Sequence, residues 1–437
     1  MTRPSQDTGR APTDADADTS TSTSTSTSTS TSTSTDTTNA ASASEDRAPV
    51  VVGTPRSFAR SVLDERHPAL IERVRRATPY PPAQRRALDA LLDEITKGSV
   101  ERLDDDEPGA GLWRDEPYYG QRWADVPFLW AESFFYRKLL AALRYFAPGP
   151  WLGIDPFAPF KNAELAGSKV DEELSALDRL PDLPPDERDR TLLLSSLWGN
   201  RADLGFQLSA GEAGLGDRVQ GLVVDDSDAL WDILAAGEPG RPGEPGQPGK
   251  VCLVADNAGP ELLPDLVLAD HLLATGRAAS VVLHLKPYPY YVSDATTTDT
   301  LACLDRLTGA PGRAAAVGER LRDALGDGRL ILRSHPFSCA PHPYDRMPAD
   351  LREDFASATL TVMKGDLNYR RLVGDRHWPA TTPFAEATAY FPGPVAALRT
   401  LKCDVVTGLT PGTLAELDAG AESWRTSGTH ALIQVRP

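Results

Sequence analysis

The chain has 437 residues and a formal charge of −17, with 41% hydrophobic and 24% charged residues. That length admits one large domain or two or three of roughly 100–200 residues each, and the composition supports a sizeable core. The negative charge argues against a nucleic-acid binder, which must neutralise phosphates, and against a binder of anionic membranes.

No stretch approaches the roughly 20 apolar residues of a bilayer span, and the first residues carry no apolar run of a secretory signal. The expected location is therefore the cytoplasm. Cys252, Cys303, Cys339 and Cys403 each stand alone in a different segment. That excludes a thiolate zinc site of ordinary spacing and a disulfide framework, and fits reduced thiols. The seven histidines show neither HExxH nor HxH spacing, so a zinc hydrolase of that type is not expected. Only eight lysines occur among 45 basic residues, which makes each one more noticeable.

Residues 1–48 are low in complexity, with unbroken Thr/Ser alternation from Thr19 to Thr35. Such a segment buries no apolar surface and is expected to be disordered. Residues 49–190 read as a helical N-terminal part. Phe58, Val62, Leu63, Leu70, Ile71 and Val74 recur at helical spacing, as do Leu88, Leu91, Leu92 and Ile95. The run from Trp123 to Trp130 starts a further helix that carries Glu132, Phe135, Tyr136 and Leu139. Glu132 there reads as a surface or capping acid rather than a site residue.

Residues 191–437 read as an α/β domain interrupted by a Gly/Pro-rich insertion at 237–249, too short for a triple helix and more consistent with a flexible surface segment. Apolar runs at 251–255, 281–285, 330–332, 360–363 and 403–406 alternate with helical patterns. One such helix spans 261–276, with Pro264 in its first turn and Gly276 as its stop. Runs apolar throughout, joined by helices, predict a mainly parallel sheet covered on both faces, a three-layer α/β/α arrangement. Such sheets bind ligands at the carboxyl ends of their strands.

Four polar clusters stand at those ends. Asp256-Asn257, followed by Gly259 and Glu261, offers oxygen ligands for a hard divalent cation, or equally the cap of a strand-to-helix turn. Asp294 follows the next strand, where it can meet Asp256 or cap the helix after it; Asp299 reads as a first-turn acid of that helix. In the third, Gly365 lets backbone N–H groups approach an anion, Lys364 supplies charge against a phosphoryl group, and Asp366 and Asn368 suit sugar hydroxyls. The fourth is Arg399-Thr400-Leu401-Lys402, where the last strand is expected to begin at Lys402. Leu197-Trp198-Gly199-Asn200-Arg201 with Asp203 either lines the pocket or forms a turn.

Together, Leu197-Trp198-Gly199-Asn200 with Asp203, Asp256-Asn257 with Gly259 and Glu261, Ser293-Asp294, Lys364 to Arg370, Gly374-Asp375-Arg376 with Trp378, and Arg399-Thr400-Leu401-Lys402 resemble the metal-dependent damage-control phosphatases. The likeness is to the branch with an RTxK motif and runs from about residue 110 to 410. It implies a helical part packed on a three-layer α/β/α domain and a metal (manganese, cobalt, nickel or magnesium) held by Asp256, Asn257 and Asp294. It implies a small sugar phosphate such as fructose 1-phosphate, bound on the loop Asp366, Leu367, Asn368, Tyr369 and Arg370 and by Lys402. Asp256, Asp294 and Lys364 are the expected catalytic residues.

A carboxyl methyltransferase activity using S-adenosylmethionine has been proposed in the branch, with Glu261 and Asp294 at the matching positions. This chain lacks a GxGxG loop after an early strand, and Pro260 departs from the aromatic common there. A silent sugar-phosphate binder is the third reading. Oligomeric state is open.

Overall fold

The computed structural model describes residues 48–55, 57–199, 221–237, 247–420 and 423–437. The Thr/Ser tail, Asn200, Arg201, Asp203 and most of the Gly/Pro insertion lie outside them.

A seven-stranded sheet organises the described residues. Its strands are β1 (Leu222–Asp225), β2 (Lys250–Val254), β3 (Ser280–Leu285), β4 (Leu330–Ser334), β5 (Leu360–Lys364), β6 (Val395–Thr400) and β7 (Ala431–Arg436). The spatial order is β1-β7-β6-β5-β2-β3-β4. From β6 to β4 the neighbours are parallel, whereas β7 runs antiparallel to β6 and pairs with β1 in parallel.

Alternate residues of each strand enter different cores. Cys252, Val254, Val282, Met363 and Ala397 join one apolar cluster, while Val251, Leu253, Val281, Leu283, Val362 and Ala396 join the other. Both faces are therefore covered, as apolar-throughout strands require. The first cluster includes Ile71, Leu88, Phe134 and Phe135 of the helices His67–Ala77, Pro82–Lys97 and Phe128–Ala142. The N-terminal helices thus share a core with the sheet. The second cluster is built with the helices Pro185–Trp198, Leu262–Ala274, Thr297–Thr308 and Arg313–Asp327. Each fully buried Leu, Val or Phe contributes about 1.5–3 kcal/mol of transfer free energy.

Two readings of the last strands need correction. The segment 403–406 is not a strand; β6 lies earlier and ends at Thr400, before Lys402. The physical reason is Arg399, whose guanidinium is fully buried and takes the carbonyls of Cys403 and Val405. Those carbonyls turn toward a charge instead of a ladder. The sequence reading also passed over β1 and β7.

The chain leaves β2 to form β3 on one side and returns later to place β5 on the other. The carboxyl ends of β2 and β5 therefore flank a topological switch point, where open α/β sheets form their ligand crevice. Among the described residues no helix is long and apolar enough to cross a membrane.

Candidate functional site

The segments after β2 and β3 are tied to each other by backbone. Asn257 and Asp294 form an isolated antiparallel bridge, Ala258 N–H donates to Ser293 O at 2.6 Å, and Ala295 N–H donates to Asp256 O at 2.9 Å. This clamp brings Asp256, Asn257 and Asp294 together from segments 36 residues apart. Asn257 is oriented at both ends: Ser293 Oγ donates to its Oδ1 at 2.8 Å and its Nδ2 donates to Glu261 Oε2 at 2.8 Å. Tyr291 N–H donates to Asp294 Oδ2 at 3.0 Å. Asp294 does not cap the following helix. Thr296 does, in a capping box with Asp299, whose carboxylate also holds Lys161 at 2.6 Å.

Burial, then Glu261 and Asp294, push the Asp256 carboxyl well above the usual carboxylate range, while Lys402 and Lys286 offset part of this. Burial likewise raises Asp294 against the pull of Lys286. A cation bound here would favour the ionised form of Asp256, which burial and its acidic neighbours oppose. Asp256 and Asp294 carboxylate oxygens with the Asn257 amide oxygen are the donor set of a hard divalent ion. The residues present therefore fit such an ion.

Gly365 closes the site from the β5 side. It has φ +82°, and an added Cβ would lie 2.7 Å from Asp256 Cβ and run into its carboxylate. Gly199 is placed similarly against Glu261, with φ +52° and Cγ 2.6 Å from an added Cβ. A small cavity of about 30 Å³ is bounded by Ser196, Trp198, Asp256, Asn257, Glu261, Lys364, Thr400 and Lys402, among others. It is sized for an ion or a phosphate oxygen rather than a whole substrate.

The segment Asp366–Arg370, expected as a loop, is the start of the helix Gly365–Val373. Its side chains accordingly diverge. Lys364, the residue before the helix, lines the cavity with its ammonium 2.9 Å from Asp265 Oδ1 and 2.8 Å from Ser196 Oγ. Asp366 pairs with Arg399 at 2.8 Å. Asn368 donates to Ala255 O at 3.0 Å and Lys364 O at 2.8 Å, so its amide joins β2 to β5. Tyr369 OH meets Thr407 Oγ1 at 2.9 Å and Gln434 Oε1 at 3.1 Å. Leu367 packs with Leu129, Tyr290 and Cys339.

Arg370 is clamped between Asp375 at 2.7 Å and Glu132 at 2.9 Å. Glu132 is therefore buried and paired, neither a surface acid nor a cap; burial raises its carboxyl despite Arg370. Of the expected site residues, Asp256, Asn257, Glu261, Lys364 and Lys402 line the cavity, and Asp294 is not among its lining residues. Leu367, Asn368, Tyr369 and Arg370 are committed to packing and internal pairs.

Sequence reasoning passed over Lys286, which is 3% exposed and acts on both Asp256 and Asp294, and Asp265, which holds Lys364. Lys286 directly follows β3, so the strand-end rule used for Asp256 was the signal that could have found it.

Burial opposes ionisation of Asp366, but Arg399, Arg370 and Lys402 hold its carboxyl below the usual range. Removing one partner of such a buried pair costs about 3–5 kcal/mol. Arg399→Ala is expected to lower the unfolding free energy by about that amount, read by urea titration. A loss under about 1 kcal/mol, as for a surface pair, would show that the pair does not hold this corner.

At the switch point of this α/β sheet, acidic and amide side chains stand beside a lysine, the residue types that suit a metal and an anion. Comparison with known proteins is specific. A family model, the damage-control phosphatase ARMT1-like domain, matches residues 62–417, and the chain belongs to that family. The zebrafish (Danio rerio) damage-control phosphatase ARMT1 is 33% identical over 335 residues, covering 71% of this chain and 74% of the relative. The mouse (Mus musculus) protein of that name is 33% identical over 72% and 75%, and the Xenopus tropicalis one 30% over 81% and 87%. A solved duf89 family protein from Pyrococcus horikoshii aligns at TM-score 0.44 and 16% identity, over 85% of this chain and 96% of that one.

Proposed function

We propose that this chain is a metal-dependent phosphomonoesterase that hydrolyses small sugar phosphates of the fructose 1-phosphate kind, with manganese, cobalt, nickel or magnesium held by Asp256, Asn257 and Asp294. The observation that carries this reading is the backbone bridge that sets Asp294 beside Asp256-Asn257 at the switch point of the sheet, where Asp256 and Asn257 line a cavity with Lys402 and Gly365. Membership of a damage-control phosphatase family supports hydrolysis of a phosphorylated metabolite.

When bound, such an ion lowers the pKa of a coordinated water and draws charge from a phosphate oxygen. Lys402 and the backbone N–H groups at the start of Gly365–Val373 take the remaining phosphate charge. Lys364, already paired with Asp265, fixes the cavity wall and gives Lys402 the stronger claim to the phosphate. Asp256, ionised as a ligand, would orient the attacking water beside the ion. Glu261 and Ser293 hold Asn257 in place.

Phosphate release from a panel of sugar phosphates, by chelator-stripped protein with single metals restored, tests the proposal. Release is expected only with an added divalent ion. Release that ignores the chelator would remove the metal from the account. No release with any metal would leave the S-adenosylmethionine-dependent methyltransferase and the silent binder, which a titration with that cofactor separates.

A further inference from the structure

We propose that Cys252, His284 and Asp354 form a second metal site, of a different chemical class, for a borderline-soft divalent ion such as zinc. The three come from β2, β3 and the helix Ala349–Ala356. One ligand atom from each lies within 4.8 Å of the others. The site sits about 13 Å along β2 from Asp256, four residues at roughly 3.3 Å each.

Two of the ligand atoms have no partner but each other. His284 is 3% exposed, and its Nε2 has no hydrogen bond; neither does Asp354 Oδ2. These atoms face each other as a loose ion pair at 3.3 Å. Buried polar atoms so weakly satisfied carry a desolvation cost, so a group bridging them would be stabilising.

The surroundings prepare the ligands. Burial lowers His284 against the pull of Asp354, which keeps the imidazole neutral and able to coordinate. Asp354 is held by cations on one side only. Lys250 Nζ lies 2.7 Å from Oδ1, and Arg333 pairs with the same oxygen, leaving Oδ2 turned inward. The Cys252 thiol, pushed up to about 12 by burial, stays protonated without a metal, and coordination would release its proton to solvent.

A nitrogen, a sulfur and an oxygen ligand with one position left for water is a zinc donor set, and it disfavours magnesium. Sequence spacing could not reveal the site, because its residues come from three distant segments.

Cobalt titration of chelator-stripped full-length protein tests this, because thiolate–cobalt coordination gives a near-ultraviolet charge-transfer band. Wild type is expected to show a saturable band, the oxygen site taking cobalt without contributing to it. Cys252→Ala should abolish it, whereas Cys303→Ala, a buried thiol outside the cluster, and Asp256→Ala, in the oxygen site, should retain it. If Cys252→Ala loses its circular dichroism signal, Asp354→Asn replaces it, with a weakening of at least tenfold expected. Absence of a band in wild type, or a band that survives the cluster variants unchanged, would overturn the proposal. Because the Asp256→Ala arm is separate, this outcome is independent of the phosphatase reading.

Discussion

Gly365→Ala is expected to lower metal-dependent phosphate release by about 100-fold or more, the scale of loss that a displacement of about 1 Å in a reacting group can cause. The glycine has φ +82°, where an L-residue costs about 1–2 kcal/mol, and its added Cβ would run into the Asp256 carboxylate. The clash must be relieved by moving Asp256 or the start of Gly365–Val373, and either opens the site. Gly276→Ala separates strain from collision. That glycine has φ +69° with nothing within 4 Å of an added Cβ, so its variant should lose stability and keep its activity. Equal activity in the two variants would refute the cradle.

Asp256→Ala is expected to abolish measurable turnover and to weaken metal binding beyond the roughly 10–100-fold that loss of an outer-shell partner costs. Its effect on stability should be the opposite of that of Arg399→Ala. Asp256 is raised by burial and by Glu261 and Asp294, so deleting it relieves repulsion. The metal-free variant should therefore unfold at no lower temperature than metal-free wild type, measured side by side. A variant that retained activity would remove Asp256 from the chemistry. A variant that lost activity only by unfolding would make it a structural residue.

The sequence showed β2, β3 and β5 because each is apolar throughout and ends in a polar cluster. With the strand-end rule, that made Asp256, Asn257 and Asp294 candidates for one locus, with a helix cap as the other reading of Asp294; the three as a ligand set came from the family resemblance. The bridge between Asn257 and Asp294 was not legible, because it depends on loop backbone pairing. The fates of Asn368, Tyr369 and Arg370 were hidden for a related reason. A helix beginning at Gly365 sends successive side chains about 100° apart, so neighbours in sequence reach different partners.

Glu132 was misjudged because its partner, Arg370, is 238 residues away. The strand placed at 403–406 failed because a buried arginine competed for its carbonyls. Long-range charge pairs and loop geometry, rather than apolar periodicity, carried what the sequence did not show.

The most direct test of the account is a manganese titration of chelator-stripped protein, following binding by calorimetry and phosphate release on the same samples, for wild type and Asp294→Asn. Manganese reads the oxygen ligands, because it stands lowest in the affinity order at nitrogen and sulfur sites. The account predicts one ion per chain, activity rising along the binding curve, and both curves displaced together to higher manganese in Asp294→Asn. Full phosphate release before manganese is added, or an Asp294→Asn variant whose two curves overlay those of wild type, would contradict it.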